Sequence, residues 1–258
     1  MRIVVLVKEV PDTYGDRKLD LETGLADRAA SETVLDEIGE RALEVALSYA
    51  DAHHGTEIVV LSMSAESAAA TVRKGLAMGA ASAVQVVDER LSGADLGLTA
   101  EVLAAAARRT GFDLIVAGNS STDGTGGVVP AMVAELLGVP HATNLNSVEL
   151  TDTEVSGERA TDGGAMRVSA ALPAVISITE RLPDARFPNF KGIMAAKKKP
   201  FETLSLEDLE IDADDSAAAR SIMIGIAERP PRAAGVKIVD EGDAGERIAE
   251  FLVQNRLV

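Results

Sequence analysis

Apolar positions along the chain follow two rhythms. The first is the short unbroken run. It occurs at residues 2–7 (apolar from Ile3 to Val7), at 57–63 around Ile58-Val59-Val60-Leu61, at 83–87, at 113–117, and at Leu172-Pro173-Ala174-Val175-Ile176-Ser177-Ile178. Runs rich in Val and Ile without polar alternation suit parallel strands covered on both faces. The second rhythm is helical. Ala42, Leu43, Ala46 and Leu47 mark a helix that opens at Asp36-Glu37-Ile38-Gly39-Glu40 and runs to about Ala50. Similar spacing predicts helices at 65–78 (closed by Gly79), 95–109 and Val128–Leu137. Up to Pro140 strand and helix alternate, which predicts a parallel sheet with right-handed crossovers. Beyond Pro140 the segments 142–150, 155–160 and 165–171 alternate apolar and polar and are joined by turn signals such as Asp162-Gly163-Gly164, so they read as antiparallel strands. Residues 17–26 read as a small hairpin with a Glu22-Thr23-Gly24 turn. Residues 200–235 are polar and acidic with no continuous pattern, either an extended arm that needs a surface or a disordered tail. Residues 242–256 close the chain as an amphipathic helix with Ile248, Leu252 and Val253 on one side.

Composition narrows the function classes. The chain has 258 residues and is 47% hydrophobic but only 3% aromatic, with no Trp, so its core is built from Ala, Val, Leu and Ile. It has no cysteine, which excludes disulfides, thiol catalysis and thiolate metal sites. His53, His54 and His141 lack metal-ligand spacing. A net charge of −16 argues against nucleic acid as a partner. No apolar run approaches the roughly 20 residues of a membrane span. The apolar part of the first residues is too short for a signal peptide, so a cytoplasmic location without membrane insertion is expected.

The candidate chemistry centres on Asp113–Gly127. A strand ends in Ala117-Gly118, continues through Asn119-Ser120-Ser121-Thr122-Asp123, and closes as Gly124-Thr125-Gly126-Gly127 before a helix. Glycines allow close backbone approach, and the free N–H groups of a helix start favour an anion such as phosphate. The loop lacks the lysine of a Walker loop and does not match GxGxxG, so a ligand site and a plain glycine-rich turn both remain open. Lys8 leaves the carboxyl end of the first strand, where open α/β sheets bind ligands. It faces a phosphate, a partner's acid or only water. Asp36 is placed to cap the first helix or to sit in an anion site. Further on, Thr179–Met194 is an irregular Pro-containing segment with Phe187 and Phe190. A ring shown to solvent there would be a partner anchor, and rings tucked into the core would not. A basic cluster, Lys197-Lys198-Lys199, follows.

These pieces, in this order, resemble the β subunit of electron transfer flavoprotein along the whole chain. The resemblance is carried by Val5-Leu6-Val7-Lys8-Glu9-Val10-Pro11-Asp12-Thr13, Leu76-Ala77-Met78-Gly79-Ala80 and Asp113–Asp123. It is carried above all by Leu172-Pro173-Ala174-Val175 followed by Arg186-Phe187-Pro188, Ile193 to Lys199 and Asp208-Leu209. Arg232-Ala233-Ala234-Gly235-Val236-Lys237 fits the family's late Arg-x-x-Gly-x-Lys element. The resemblance implies a Rossmann-like α/β fold of the adenine nucleotide α-hydrolase type, a parallel sheet flanked by helices with antiparallel additions. It implies a nucleotide-binding domain over 1–199 and a C-terminal arm and helix over 200–258 that docks on an α subunit. It also implies a heterodimer in which the α subunit holds most of the FAD and the β subunit holds a structural AMP. The pair would take electrons singly from acyl-CoA and related dehydrogenases and pass them to a membrane-bound quinone oxidoreductase. Carried over by alignment, the AMP contacts are Leu6, Asp36, Glu37, Ile38, Gly39, Met63, Gly118, Asn119, Ser120, Ser121, Thr122, Asp123, Gly124, Thr125, Gly126, Gly127, Val128 and Val129. The segment 184–194 corresponds to the family's recognition loop, with Arg186, Phe187, Phe190, Ile193 and Met194 facing the dehydrogenase. Phe190 stands where the family carries a leucine. Position 36 is often Asn in the family. An Asp there would be repelled by phosphate, which leaves a ribose hydroxyl, an adenine amine or the helix cap. The aromatics that approach the flavin in relatives correspond to Thr13 and Ile38, with Tyr14 adjacent.

A related branch binds a second FAD in place of AMP and bifurcates electrons, and Asp123-Gly124-Thr125 partly matches its Asp-Gly-Asp-Thr pattern. Two other classes compete. A hydrolase or nucleotidyl-transfer enzyme would need a nucleophile–base pair or a cation at the loop, and no Gly-x-Ser-x-Gly element is present. A nucleotide-binding stress-type module would end near residue 150. An electron-carrier subunit without bond-making chemistry of its own fits the whole length.

Overall fold

A computed structural model describes residues 1–15, 17–232, 234–235 and 237–258. Ala233 and Val236 of the late Arg-x-x-Gly-x-Lys element lie outside the described residues. The strands are β1 Arg2–Leu6, β2 Glu9–Pro11, β3 Thr33–Leu35, β4 Glu57–Met63, β5 Ser82–Val86, β6 Leu114–Gly118, β7 His141–Leu145, β8 Glu149–Leu150, β9 Glu154–Thr161, β10 Gly164–Ala171, β11 Ala174–Ile178 and β12 Phe201–Leu204. The helices are α1 Glu37–Ala52, α2 Ala69–Met78, α3 Leu96–Thr110, α4 Val129–Leu137, α5 Phe190–Ala196 and α6 Ala244–Gln254. The chain divides into two compact units, Met1–Ile224 and Gly225–Val258.

In the first unit seven strands form one parallel sheet in the order β12-β5-β4-β1-β6-β11-β7. Its unbroken apolar runs have a simple cause. In β1 and the residue after it, Ile3, Val5 and Val7 enter the core layer shared with α1 and α2, while Val4 and Leu6 enter the layer shared with α3 and α4. Both faces of each inner strand are dry, so nearly every position is apolar, and the buried exceptions Ser62, Gln85 and Ser177 are hydrogen-bonded within the protein. The antiparallel additions are present as β8-β9-β10 and β2-β3.

Two sequence expectations need correction. Residues 141–145 are not antiparallel; β7 pairs in parallel with β11 at the edge of the main sheet. Its half-exposed edge position gives it the alternating pattern of a one-sided strand. Residues 201–204, expected in the arm, form β12 at the opposite edge beside β5. That strand has four residues, two of them exposed, too short for a periodic signal. The compact first unit runs to Ile224.

The second unit contains α6, on which no residue is buried within this chain. Ile248, Phe251 and Val253 are among its exposed apolar side chains. Among the described residues no helix is long and apolar enough to cross a membrane.

Candidate functional site

The strand order reverses between β1 and β6, since connections from β1 lead outward to β4 and β5 while those after β6 lead to β11 and β7. At such a switch point the loops beyond the carboxyl ends of neighbouring strands diverge and leave a crevice. Leu6 and Gly118 end adjacent strands there, and Met63 ends the next one. The first turn of α1 (Glu37, Ile38, Gly39) and the start of α4 (Val128, Val129) belong to the connections that leave these strands. The fold thus gathers the sequence-expected nucleotide residues at one end of the sheet.

Gly118 is fixed by packing. A Cβ there would lie 2.9 Å from the Ile38 side chain and 3.3 Å from its carbonyl carbon. Only glycine lets the first turn of α1 close on the end of β6. Ile38 is therefore half-buried against Gly118, while Tyr14 is fully exposed.

Asp36 uses both carboxylate oxygens inside the protein. Oδ1 accepts the N–H of Ile38 at 3.0 Å and caps α1. Oδ2 accepts the N–H of Thr122 at 2.7 Å and its hydroxyl at 2.9 Å. Of the roles considered for it, the cap is realised, together with a tether to the glycine-rich loop that spacing in sequence could not reveal.

A second tether involves Asp123. Its Oδ1 accepts from Lys8 Nζ at 2.8 Å and from the Gly124 N–H at 2.6 Å, and its Oδ2 accepts from Arg28 Nη2 at 3.1 Å. Burial pushes the Asp123 carboxyl upward. The hydrogen bond and charge of Lys8, with the Ser121 hydroxyl and the Gly124 N–H, outweigh that effect and hold it at about 2. Arg17 donates to the Thr122 carbonyl. Arg17 and Arg28, both on the excursion between β2 and β3, were not among the expected site residues. No local pattern marks them.

The remaining loop groups face outward. Gly124 to Val128 are exposed, and α4 begins without a side-chain cap on its free N–H groups. The side-chain oxygen of Asn119 is buried without a hydrogen-bond partner among the described residues. The combination of hydroxyls, a helix start without a side-chain cap and one orphaned buried acceptor suits a ligand with both an anionic end and an N–H donor. Among the described residues no cluster of His, Cys, Asp or Glu suits a metal ion.

The 184–194 segment is held against α1, by Arg41 on Asp184 and by Arg186 on Glu44. Phe187 is 93% exposed and Phe190 80% exposed, which decides between the two placements left open for the rings. Ile193 and Met194, about half exposed, stand on the same short helix. Arg186 is engaged within the chain: Nε and Nη2 grip both oxygens of Glu44 at 2.8 Å, and Nη2 also reaches Asp51 at 2.9 Å. It anchors the loop to α1 and leaves the phenylalanines outward. Although burial opposes ionisation of Glu44, the Arg186 bonds hold its carboxyl below the usual range.

α5 itself rests on α2. A Cβ on Gly192 would lie 2.3 Å from the Ala77 carbonyl oxygen, and Lys199 Nζ donates to the carbonyls of Leu76 and Ala80 at 2.9 and 2.6 Å. We expect Gly192→Ala to force α5 off α2, lowering stability by about 1–3 kcal/mol as overpacking does. Thermal unfolding checks this, and an unchanged melting temperature would mean the contact yields freely.

A family model described as "Electron transfer flavoprotein domain" matches residues 23–209. The "Electron transfer flavoprotein subunit beta" of Mycobacterium tuberculosis (strain ATCC 25618 / H37Rv) is 43% identical, covering 99% of each chain. The protein of the same name from Bacillus subtilis (strain 168) is 32% identical, over 98% of this chain and 96% of that one. The "Caffeyl-CoA reductase-Etf complex subunit CarD" of Acetobacterium woodii is 32% identical, over 83% of this chain and 82% of its own.

Proposed function

The chain belongs to the electron transfer flavoprotein family as a β subunit, and from that premise we propose that it pairs with an α subunit, in the cytoplasm, to form an electron carrier. The pair accepts electrons from acyl-CoA and related dehydrogenases and delivers them to a membrane quinone oxidoreductase. FAD, held mostly by the α subunit, supplies the redox chemistry when bound. This chain contributes binding and orientation and has no substrate chemistry of its own.

In this reading AMP lies at the switch point against Leu6, Asp36 to Gly39, Met63 and Gly118 to Val129. The observation that carries it is the donor and acceptor set of the loop. The exposed backbone of Gly126–Val128 and the uncapped start of α4 suit a phosphate. The partnerless oxygen of Asn119 suits the amine of an adenine. Asp36, with both oxygens engaged, shapes the loop and does not contact phosphate. Segment 184–194 is the dehydrogenase-docking surface, with Phe187, Phe190, Ile193 and Met194 outermost and Arg186 as its anchor. The unit 225–258, with its unpartnered α6, docks on the α subunit.

Mass spectrometry of nucleotide released from the co-purified pair tests the cofactor assignment. We expect AMP and FAD in equal amounts. FAD alone, at two per pair, would overturn AMP and favour the bifurcating reading.

A further inference from the structure

The carboxylate of Asp123 receives the donor set that usually surrounds a phosphate: an ammonium (Lys8 Nζ, 2.8 Å), a guanidinium (Arg28 Nη2, 3.1 Å) and a backbone N–H of a glycine-rich turn (Gly124, 2.6 Å). Ser121 completes the set, its Oγ lying 3.5 Å from Lys8 Nζ and accepting the Gly124 N–H at 3.3 Å. The Asp123 side chain is only 10% exposed, whereas those of Lys8 and Arg28 are each 41% exposed. The two cations therefore hold a buried acid on one side and face solvent on the other.

The neighbouring charges leave this spot positive in a chain of net charge −16. Arg17 adds a third cation, bonded among the described residues to the uncharged Thr122 carbonyl. Two further acids, one just after Lys8 in sequence and one tethered to the loop, are engaged elsewhere. Asp36 is engaged by Ile38 and Thr122, and Glu9 accepts from the Thr71 hydroxyl at 2.5 Å. A cation pair that projects from two separate segments, the link between β1 and β2 and the 12–32 excursion, onto the ligand loop is more than the loop's fold needs. The Gly124 N–H and the Asp36 tether already set its turn.

We propose that Lys8 and Arg28 are the charge-recognising residues for the nucleotide phosphate and that Asp123 is its built-in competitor, holding the same donors until a phosphate takes them. This rests on the nucleotide reading of the switch point. It makes the affinity of the site depend on phosphate charge separately from adenine recognition. Arg28 then also couples the 12–32 excursion to occupancy, since its Nη1 donates to the Glu9 carbonyl at 3.1 Å while its Nη2 holds Asp123.

The test is equilibrium dialysis of AMP and of adenosine against the nucleotide-depleted α–β pair. Asp123→Asn keeps an acceptor for Gly124 but removes the competing charge. It should tighten AMP by about tenfold and leave adenosine unchanged. Arg28→Gln and Lys8→Gln should each weaken AMP by about tenfold, again without moving adenosine, which also reports that the variants fold. Weaker AMP binding in Asp123→Asn, or equal changes for both ligands in all three variants, would overturn the proposal and make Asp123 a structural strut. Wild-type protein that takes up neither ligand would instead sink the nucleotide reading itself, a result distinguishable from the first.

Discussion

Asp36→Ala should lose about 3 kcal/mol of stability and most of its bound nucleotide. The magnitude follows from what the carboxylate does. Losing a helix N-cap costs about 1 kcal/mol, and losing a hydrogen bond to a charged acceptor costs about 1.5–3 kcal/mol. Alanine removes both together, because one oxygen caps α1 through Ile38 and the other holds Thr122 through two donors. The carboxylate is almost completely buried, so water cannot replace it freely. Asp36→Asn separates the contributions. Its amide oxygen can keep the cap, while its amide nitrogen meets the Thr122 N–H as donor against donor. We expect that variant, which carries the residue common at this position in the family, to fall between wild type and alanine both in melting temperature and in the nucleotide it retains. Thermal unfolding, followed by nucleotide analysis after gel filtration of the pair, measures both. A stable Asp36→Ala protein with full nucleotide content would show that the loop keeps its shape by other means.

The case of Asp36 also shows where sequence ceases to inform. The cap was legible because capping is local: an Asp sits just before a helical apolar pattern. The Thr122 tether spans 86 positions, and the Lys8–Asp123 and Arg28–Asp123 pairs span 115 and 95. No periodicity links such residues, and only the strand order that puts β1 beside β6 brings them together. The inner strands were legible because both faces are dry, which favours apolar runs such as Ile3–Val7 and Ala174–Ile176. The edge strands were not. β7 carries His141 and Asn144 on its exposed side and so reads like a one-sided antiparallel strand, while β12 buries only Leu204 fully. For Phe187 and Phe190 the residue type fits a core and an interface equally well, and only their placement after the Arg186–Glu44 anchor turns them outward.

That outward placement leads to the second large effect. Phe190→Ala should raise the concentration of the pair needed to half-saturate the dehydrogenase reaction by about thirtyfold, as loss of an interface anchor worth 2 kcal/mol or more does. The melting temperature and FAD content should not change, since a ring 80% exposed contributes little to the core. The maximal rate at saturation should also be preserved, because the ring positions a partner and touches no reacting atom. Phe187→Ala is expected to act in the same direction, and the double variant should not be additive if both rings enter one pocket. Arg186→Ala offers a contrast. It removes the grip on Glu44 and Asp51, so the segment loosens while both rings remain, and half-saturation should rise less than for Phe190→Ala. Steady-state reduction of the pair by an acyl-CoA dehydrogenase, titrated over carrier concentration, separates these cases. If Phe190→Ala leaves half-saturation where it was and Arg186→Ala does the same, the dehydrogenase docks on another face and the exposed rings serve some other partner.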